Sequence, residues 1–194
     1  KWTIDTNKDF IMADVADLNG DGYMAIGAVG LINSDYTGRI YLNQQNLFFD
    51  FKNIITKNDD SQGFGVYGAM DFGDWDNDGD IDAVFAGIGS VSNNDGYGTR
   101  LMLNDGNGNF TFGKWIRATT GSTTTYSGAI KFLDFNMDGK KDLLGVHGYF
   151  LGGLSFIDHD ANGQYSSLIG NEIIDDINGD DFIIFDIDQN GLLD

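Results

Sequence analysis

The chain has 194 residues, 41% of them apolar, and carries a formal net charge of −19 with a pI near 4.1. That length can bury a substantial core, and the acidity argues against nucleic acid or an anionic membrane surface as partner. With no cysteine, disulfides and thiolate metal sites are excluded, and no apolar run is long enough to insert into a bilayer.

The predicted elements repeat along the chain. Strand patterns at 10–15, 24–30, 39–43 and 47–54 form a first group, and those at 69–73, 82–89, 99–104 and 110–116 a second. A third group follows at 129–134, 142–148, 154–158 and 165–169, and then a further strand at 182–186. No segment keeps a helical period over three turns, and the chain has no proline. Four antiparallel strands per unit predict an all-β fold, a β-propeller of four-stranded blades. About three and a half blades are expected as one domain, at roughly 1–54, 55–116, 117–170 and a partial 171–194. Propellers usually close with about 4–8 blades, so the remaining blades are expected from a longer chain or from a homo-oligomer.

An acidic loop separates the first and second strands of each unit. Asp74, Asp76, Asp78 and Asp82 stand at positions 1, 3, 5 and 9 of one loop, with Gly79 at position 6. Two carboxylates 4 Å apart repel by about 4 kcal/mol at an effective dielectric of 20, so a loop that converges four of them calls for a cation. Oxygen-only donors in a flexible loop suit Ca²⁺. The seventh residue, Asp80, would add its backbone carbonyl, and Gly79 would permit the sharp turn.

The spacing returns at Asp134, Asn136, Asp138, Lys140 and Asp142, and again at Asp186, Asp188, Asn190, Leu192 and Asp194. Lys140 and Leu192 hold the seventh position, which contributes a carbonyl. A degenerate copy holds Asp17, Asn19, Asp21 and Tyr23, but Ala25 replaces the ninth-position carboxylate. Three Ca²⁺ are therefore expected, with a fourth site at 17–23. The EF-hand shares the first six positions but requires a bidentate Glu at position 12. That position holds Phe85, Gly145 and Ala28, and Glu172 is the single glutamate of the chain.

The loops, the glycine-rich second strands at 25–30, 84–89 and 143–148, and the turn Leu-Asn-Asp-Gly-Asn-Gly-Asn-Phe at 103–110 resemble FG-GAP/VCBS repeats. These are the calcium-binding propeller repeats of integrin α-subunits, some fungal lectins and many bacterial surface proteins. The resemblance covers nearly the whole chain and departs from the pattern at Ala25. It implies the fold and the metal; it says little of the molecular role, because the family is diverse. The calcium demand points to an extracellular setting, where weak sites suffice.

Strand order places the metal loops and the strand 3–4 hairpins on one face. The other face would carry the longer connections at 31–38, 56–66, 90–98, 117–127 and 149–153. Binding commonly resides on such loops, so Tyr36, Phe64, Tyr67, Tyr97, Tyr126 and Tyr149 are candidates for contacting a glycan or protein ligand. Catalysis has little to stand on. His147 lies in a second strand and His159 in a turn, and the close aspartate pairs are taken up by the metal loops. Trp75 and Trp115 are read as packing between blades. The expected function is binding or adhesion with structural Ca²⁺. The alternatives are a portion of a secreted polysaccharide-degrading enzyme, or a scaffold completed by oligomerisation.

Overall fold

The computed structural model describes residues 8–32, 35–45, 49–55, 65–88, 98–117, 126–135, 137–148, 153–159 and 165–166. Among the described residues, twelve strands form three four-stranded antiparallel sheets. The first holds β1 (Lys8–Ala16), β2 (Ala25–Ile32), β3 (Asp35–Asn43) and β4 (Phe49–Ile55), paired in sequence order. The second holds β5 (Gly65–Gly73), β6 (Asp82–Ile88), β7 (Gly98–Asn104) and β8 (Phe110–Arg117) in the same order. The third holds β9 (Tyr126–Leu133), β10 (Asp142–Gly148), β11 (Gly153–His159) and β12 (Tyr165–Ser166). No helix occurs among the described residues, so none is long and apolar enough to cross a membrane.

The core lies between the sheets. A strand sends successive side chains to opposite faces, and the second sheet is apolar on both. Ala69, Val84 and Leu101 face Ile130 and Leu143 of the third sheet, with Trp75 and Phe132 packed among them. Met70, Ala83, Phe85 and Met102 face Val29 and Met12 of the first sheet. A third cluster, Leu18, Ala25, Ile40 and Leu42, closes the loop end of the same seam against Phe72, Ile81 and Phe110. Gly27 of β2 matters here. A Cβ at Gly27 would collide with the side chains of Met70 and Phe72, so this strand accepts the neighbouring sheet at close range because it lacks one.

The first strand of each unit, β1, β5 or β9, is the one that meets its neighbour: β5 packs on β1, β2 and β3, and β9 packs on β5 and β6. Several strands extend beyond the sequence expectation into the predicted long connections. Residues 31–32 and 35–38 are strand, because β2 and β3 remain paired out to Ile32 opposite Asp35. Gly65 and Val66 already pair with Ile88 and Gly87, and Tyr126 with Gly148. His159 likewise ends β11 opposite Tyr165 rather than sitting in a turn. Local turn residues mark where a strand can stop, and the ladder hydrogen bonds of the partner strand decide where it does. The predicted strand at 182–186 lies outside the described residues.

Candidate metal centre

Each first strand ends where its loop begins, and three loops share one backbone design. Position 4 is left-handed in all of them, occupied by Gly20 (φ 69°), Asn77 (φ 60°) and Met137 (φ 59°). Position 6 is left-handed as well, occupied by Gly22, Gly79 and Gly139. Two left-handed residues in three curl the chain back on itself, which favours glycine or asparagine and strains a methionine.

The aspartates hold that curl by accepting backbone N–H bonds. Gly22, Gly79 and Gly139 donate to the first-position carboxylates of Asp17, Asp74 and Asp134 at 2.8, 3.1 and 2.9 Å. Tyr23, Asp80 and Lys140 donate to the fifth-position carboxylates of Asp21, Asp78 and Asp138 at 2.8, 2.9 and 2.9 Å. The seventh-position residues named for their carbonyls are thus anchored through their N–H groups. Each loop is closed by its own acidic side chains.

In the loop after β5, Asp74, Asp76 and Asp78 bring one oxygen each to within 4.8 Å of one another. Desolvation and the neighbouring Asp78 and Asp74 charges push the Asp76 carboxyl above its ordinary range. Asp74 Oδ1 is buried yet accepts no hydrogen bond, and Asp17 Oδ1 is in the same state at the matching place of the first loop. A buried carboxylate oxygen without a donor is costly, and a divalent ion held by three carboxylates removes both that cost and the mutual repulsion. The donor set is oxygen only, which fits Ca²⁺.

The ninth residue has a different role. Asp82 is buried, its Oδ2 accepts Trp75 N at 2.9 Å, and its Oδ1 accepts Asn104 N at 2.9 Å. Burial raises its carboxyl to about 6 despite those two bonds. It therefore ties the loop to the end of β7. Asp142, fully buried, accepts Phe135 N at 3.0 Å in the same manner. In the first loop Ala25 is buried instead among Leu18, Ile40 and Leu42. There Asn19 Nδ2 donates to Asp21 Oδ2 at 3.0 Å, which meets one carboxylate with an amide.

The metal loop and the strand 3–4 hairpin lie side by side. A Cβ at Gly106 would sit 2.5 Å from Asp80 Oδ1, so the hairpin rests directly on that carboxylate. Asn104 Nδ2 donates to Ile81 O at 3.0 Å and to Leu18 O of the first loop at 2.8 Å, and Asn104 Oδ1 accepts Gly108 N at 3.1 Å. One amide thus ties the hairpin, its own metal loop and the loop of the adjacent sheet. From the first sheet, Lys52 Nζ reaches Asn109 Oδ1 at 2.5 Å.

Of the other expected positions, Asn136, Asp186, Asp188, Asn190, Leu192 and Asp194 lie outside the described residues. So do the ligand candidates Phe64, Tyr97 and Tyr149. Tyr36, Tyr67 and Tyr126 fall within β3, β5 and β9, near the sheet ends opposite the metal loops. Trp75 is buried against Phe132 of the third sheet, with ring centroids 5.8 Å apart.

Sequence reasoning missed two sets of residues. Arg39 and Arg100 occupy matching places in β3 and β7, both buried, with guanidinium groups 4.3 Å from the Phe51 ring and 4.9 Å from the Phe112 ring. Asp14, Asp71 and Lys131 each stand three residues ahead of a metal loop, and Lys131 Nζ meets Asp71 Oδ1 at 2.8 Å across the second seam. Their shared offset from the loops was the available signal.

No curated protein matches the chain. Residues 74–145, which run from the loop after β5 through the loop after β9 into β10, match the family model of the FG-GAP-like repeat.

Proposed function

We propose that the protein is a Ca²⁺-stabilised, extracellular β-propeller segment that acts in binding or adhesion, with a glycan or protein ligand. The observation that carries the metal is the trio Asp74, Asp76 and Asp78 around the buried, unpartnered Asp74 Oδ1. These carboxylates, with the Asp80 carbonyl, would hold the ion. Asp82, with the lone pairs left after its two backbone bonds, keeps the loop on β7. The corresponding residues Asp134, Asn136, Asp138, Lys140 and Asp142 would hold a second ion, Asp186–Asp194 a third, and Asp17, Asn19, Asp21 and the Tyr23 carbonyl a fourth.

In this reading the ions are structural. Each neutralises a converged set of carboxylates at one end of a sheet and stabilises the folded state by linkage. The opposite sheet ends, near Tyr36, Tyr67 and Tyr126, are then free to meet a ligand on a rigid scaffold. The FG-GAP-like repeat match supports the propeller and the metal together.

Calorimetric titration with Ca²⁺ and thermal melts of the wild type and Asp78→Ala test the metal. At 100 times its Kd one site adds about 2.7 kcal/mol, and Asp78→Ala should lose that gain for its loop. An undiminished gain in the variant would remove the loop after β5 from the set. A glycan-array screen in Ca²⁺, run beside assays of polysaccharide turnover, tests the binding role. Depolymerisation without retained binding would overturn it.

A further inference from the structure

Two acidic loops from different sheets meet on a single side chain. Asn104 ends β7 and is 6% exposed. Its Nδ2 donates to Leu18 O in the loop after β1 at 2.8 Å and to Ile81 O in the loop after β5 at 3.0 Å. Both amide hydrogens are thereby used, one in each loop. Its Oδ1 accepts Gly108 N at 3.1 Å, and its backbone N–H donates to Asp82 Oδ1 at 2.9 Å. Turning the amide over would set its oxygen against two carbonyls and its NH₂ against an N–H, so the partners fix its orientation.

The two carbonyls lie among the ligand candidates. Leu18 stands at position 2 of its loop, between Asp17 and Asn19, and Ile81 at position 8 of the other, between Asp80 and Asp82. Packing follows the hydrogen bonds, since Leu18 is 1% exposed within the cluster on which Ile81 packs. The counterpart at the end of β3 shows what is particular to Asn104. Asn43 Nδ2 reaches Met24 O, position 8 of its own loop, at 3.4 Å, and Asn43 Oδ1 is buried without a hydrogen-bond partner. Among the described residues Asn43 therefore meets one loop, where Asn104 meets two.

Taking both loops as Ca²⁺ sites, the reading on which this rests, we propose that Asn104 couples them: an ion bound in either loop raises the affinity of the other. A loop that closes on an ion fixes its own peptide groups, and with them the amide that donates to those groups. The second loop then finds one of its anchors already ordered, and the entropy of ordering that anchor is lost only once. The coupling is positive, and linkage makes it reciprocal. Its effect on occupancy is greatest in the first loop, which has Ala25 in place of the ninth-position acid and whose Asp21 already accepts Asn19 Nδ2.

Residue-resolved NMR titration with Ca²⁺ alone reads each loop through its own amides. Gly22 and Tyr23 report on the first and Gly79 and Asp80 on the second, since these N–H groups donate to the loop carboxylates. Asp78→Ala, which disables the second loop, should raise the Ca²⁺ midpoint of Gly22 about fivefold or more, and Asp21→Ala should raise that of Gly79 by the same factor. With Asn104→Ala added, neither midpoint should respond to loss of the other loop. An asparagine that only supported the fold would weaken each site on removal and leave their mutual dependence in place. The two loop variants keep Asn104, so their arm stands even where Asn104→Ala fails to fold. Midpoints independent of each other with Asn104 present, or a mutual dependence that survives Asn104→Ala, overturn the coupling and leave the metal reading standing. Amides that ignore Ca²⁺ in either loop overturn the coupling, and in both loops they overturn the metal reading as well.

Discussion

In the loop after β5 the ninth residue is Asp82, whose carboxylate accepts the N–H groups of Trp75 and Asn104; in the loop after β1 it is Ala25, packed among Leu18, Ile40 and Leu42. The two loops otherwise share their left-handed positions and the bonds from the sixth and seventh N–H groups. The difference separates two roles that the repeat motif runs together. The first, fifth and sixth positions shape the loop. The ninth joins it to the third strand of its own sheet, through a buried acid in one sheet and through apolar packing in the other.

The largest way to break this comparison is Asp82→Ala. It leaves two backbone N–H groups without acceptors inside the protein, each worth about 1–3 kcal/mol, and should lower Tm by about 5–15 °C in a chain of this size. Thermal melts would check this, and a variant that melts with the wild type would reduce the ninth-position acid to a bystander.

The converse change, Ala25→Asp, puts a carboxylate into a leucine cluster. Without metal it should cost about 2 kcal/mol, whereas in Ca²⁺ the metal-induced gain should exceed that of the wild type. Equal gains would mean that the first loop does not profit from a ninth acid.

Next is pH. Asp82 and Asp71 are both raised by burial to about 6 from 3.8. Between those values the folded chain binds protons that the unfolded chain releases, so stability in chelator should fall as pH rises from 4 to 7, by on the order of 2 kcal/mol. Denaturant melts in chelator and in Ca²⁺ should slope in opposite senses, because protons compete with the ion for the loop carboxylates.

The smallest effect is at position 4 of the loop after β9, where Met137 holds φ 59° and the first loop has Gly20. Met137→Gly should relieve left-handed strain and stabilise by about 0.5–1 kcal/mol. A loss of stability would mean that the exposed methionine makes contacts of its own.

Much of this molecule is legible from local spacing. The period of the acidic loops, the four-strand units and the hairpin at 104–109 all involve residues within a few places of one another, where turn chemistry and side-chain alternation govern. The strand ends were less legible: 31–38 reads as a connection but pairs as β2 and β3, since a ladder is extended by its partner and not by its own sequence. The ninth residue was read as a ligand from its carboxylate alone. The bonds of Asp82 to Trp75 N and Asn104 N show that it also anchors the loop.

By itself the sequence determined that the chain would form β-strands joined by aspartate loops, and that three of those loops would curl alike, because both outcomes depend on side chains reaching their own backbone. Only the tertiary structure decided which groups meet across the seams. Lys131 and Asp71 stand 60 residues apart, and Asn104 and Leu18 stand 86 apart. It likewise decided that Trp75 would be buried while Phe135, at the matching position, stays exposed. Contacts of that kind follow from how one sheet lies on the next, and no local pattern encodes the distance between two sheets.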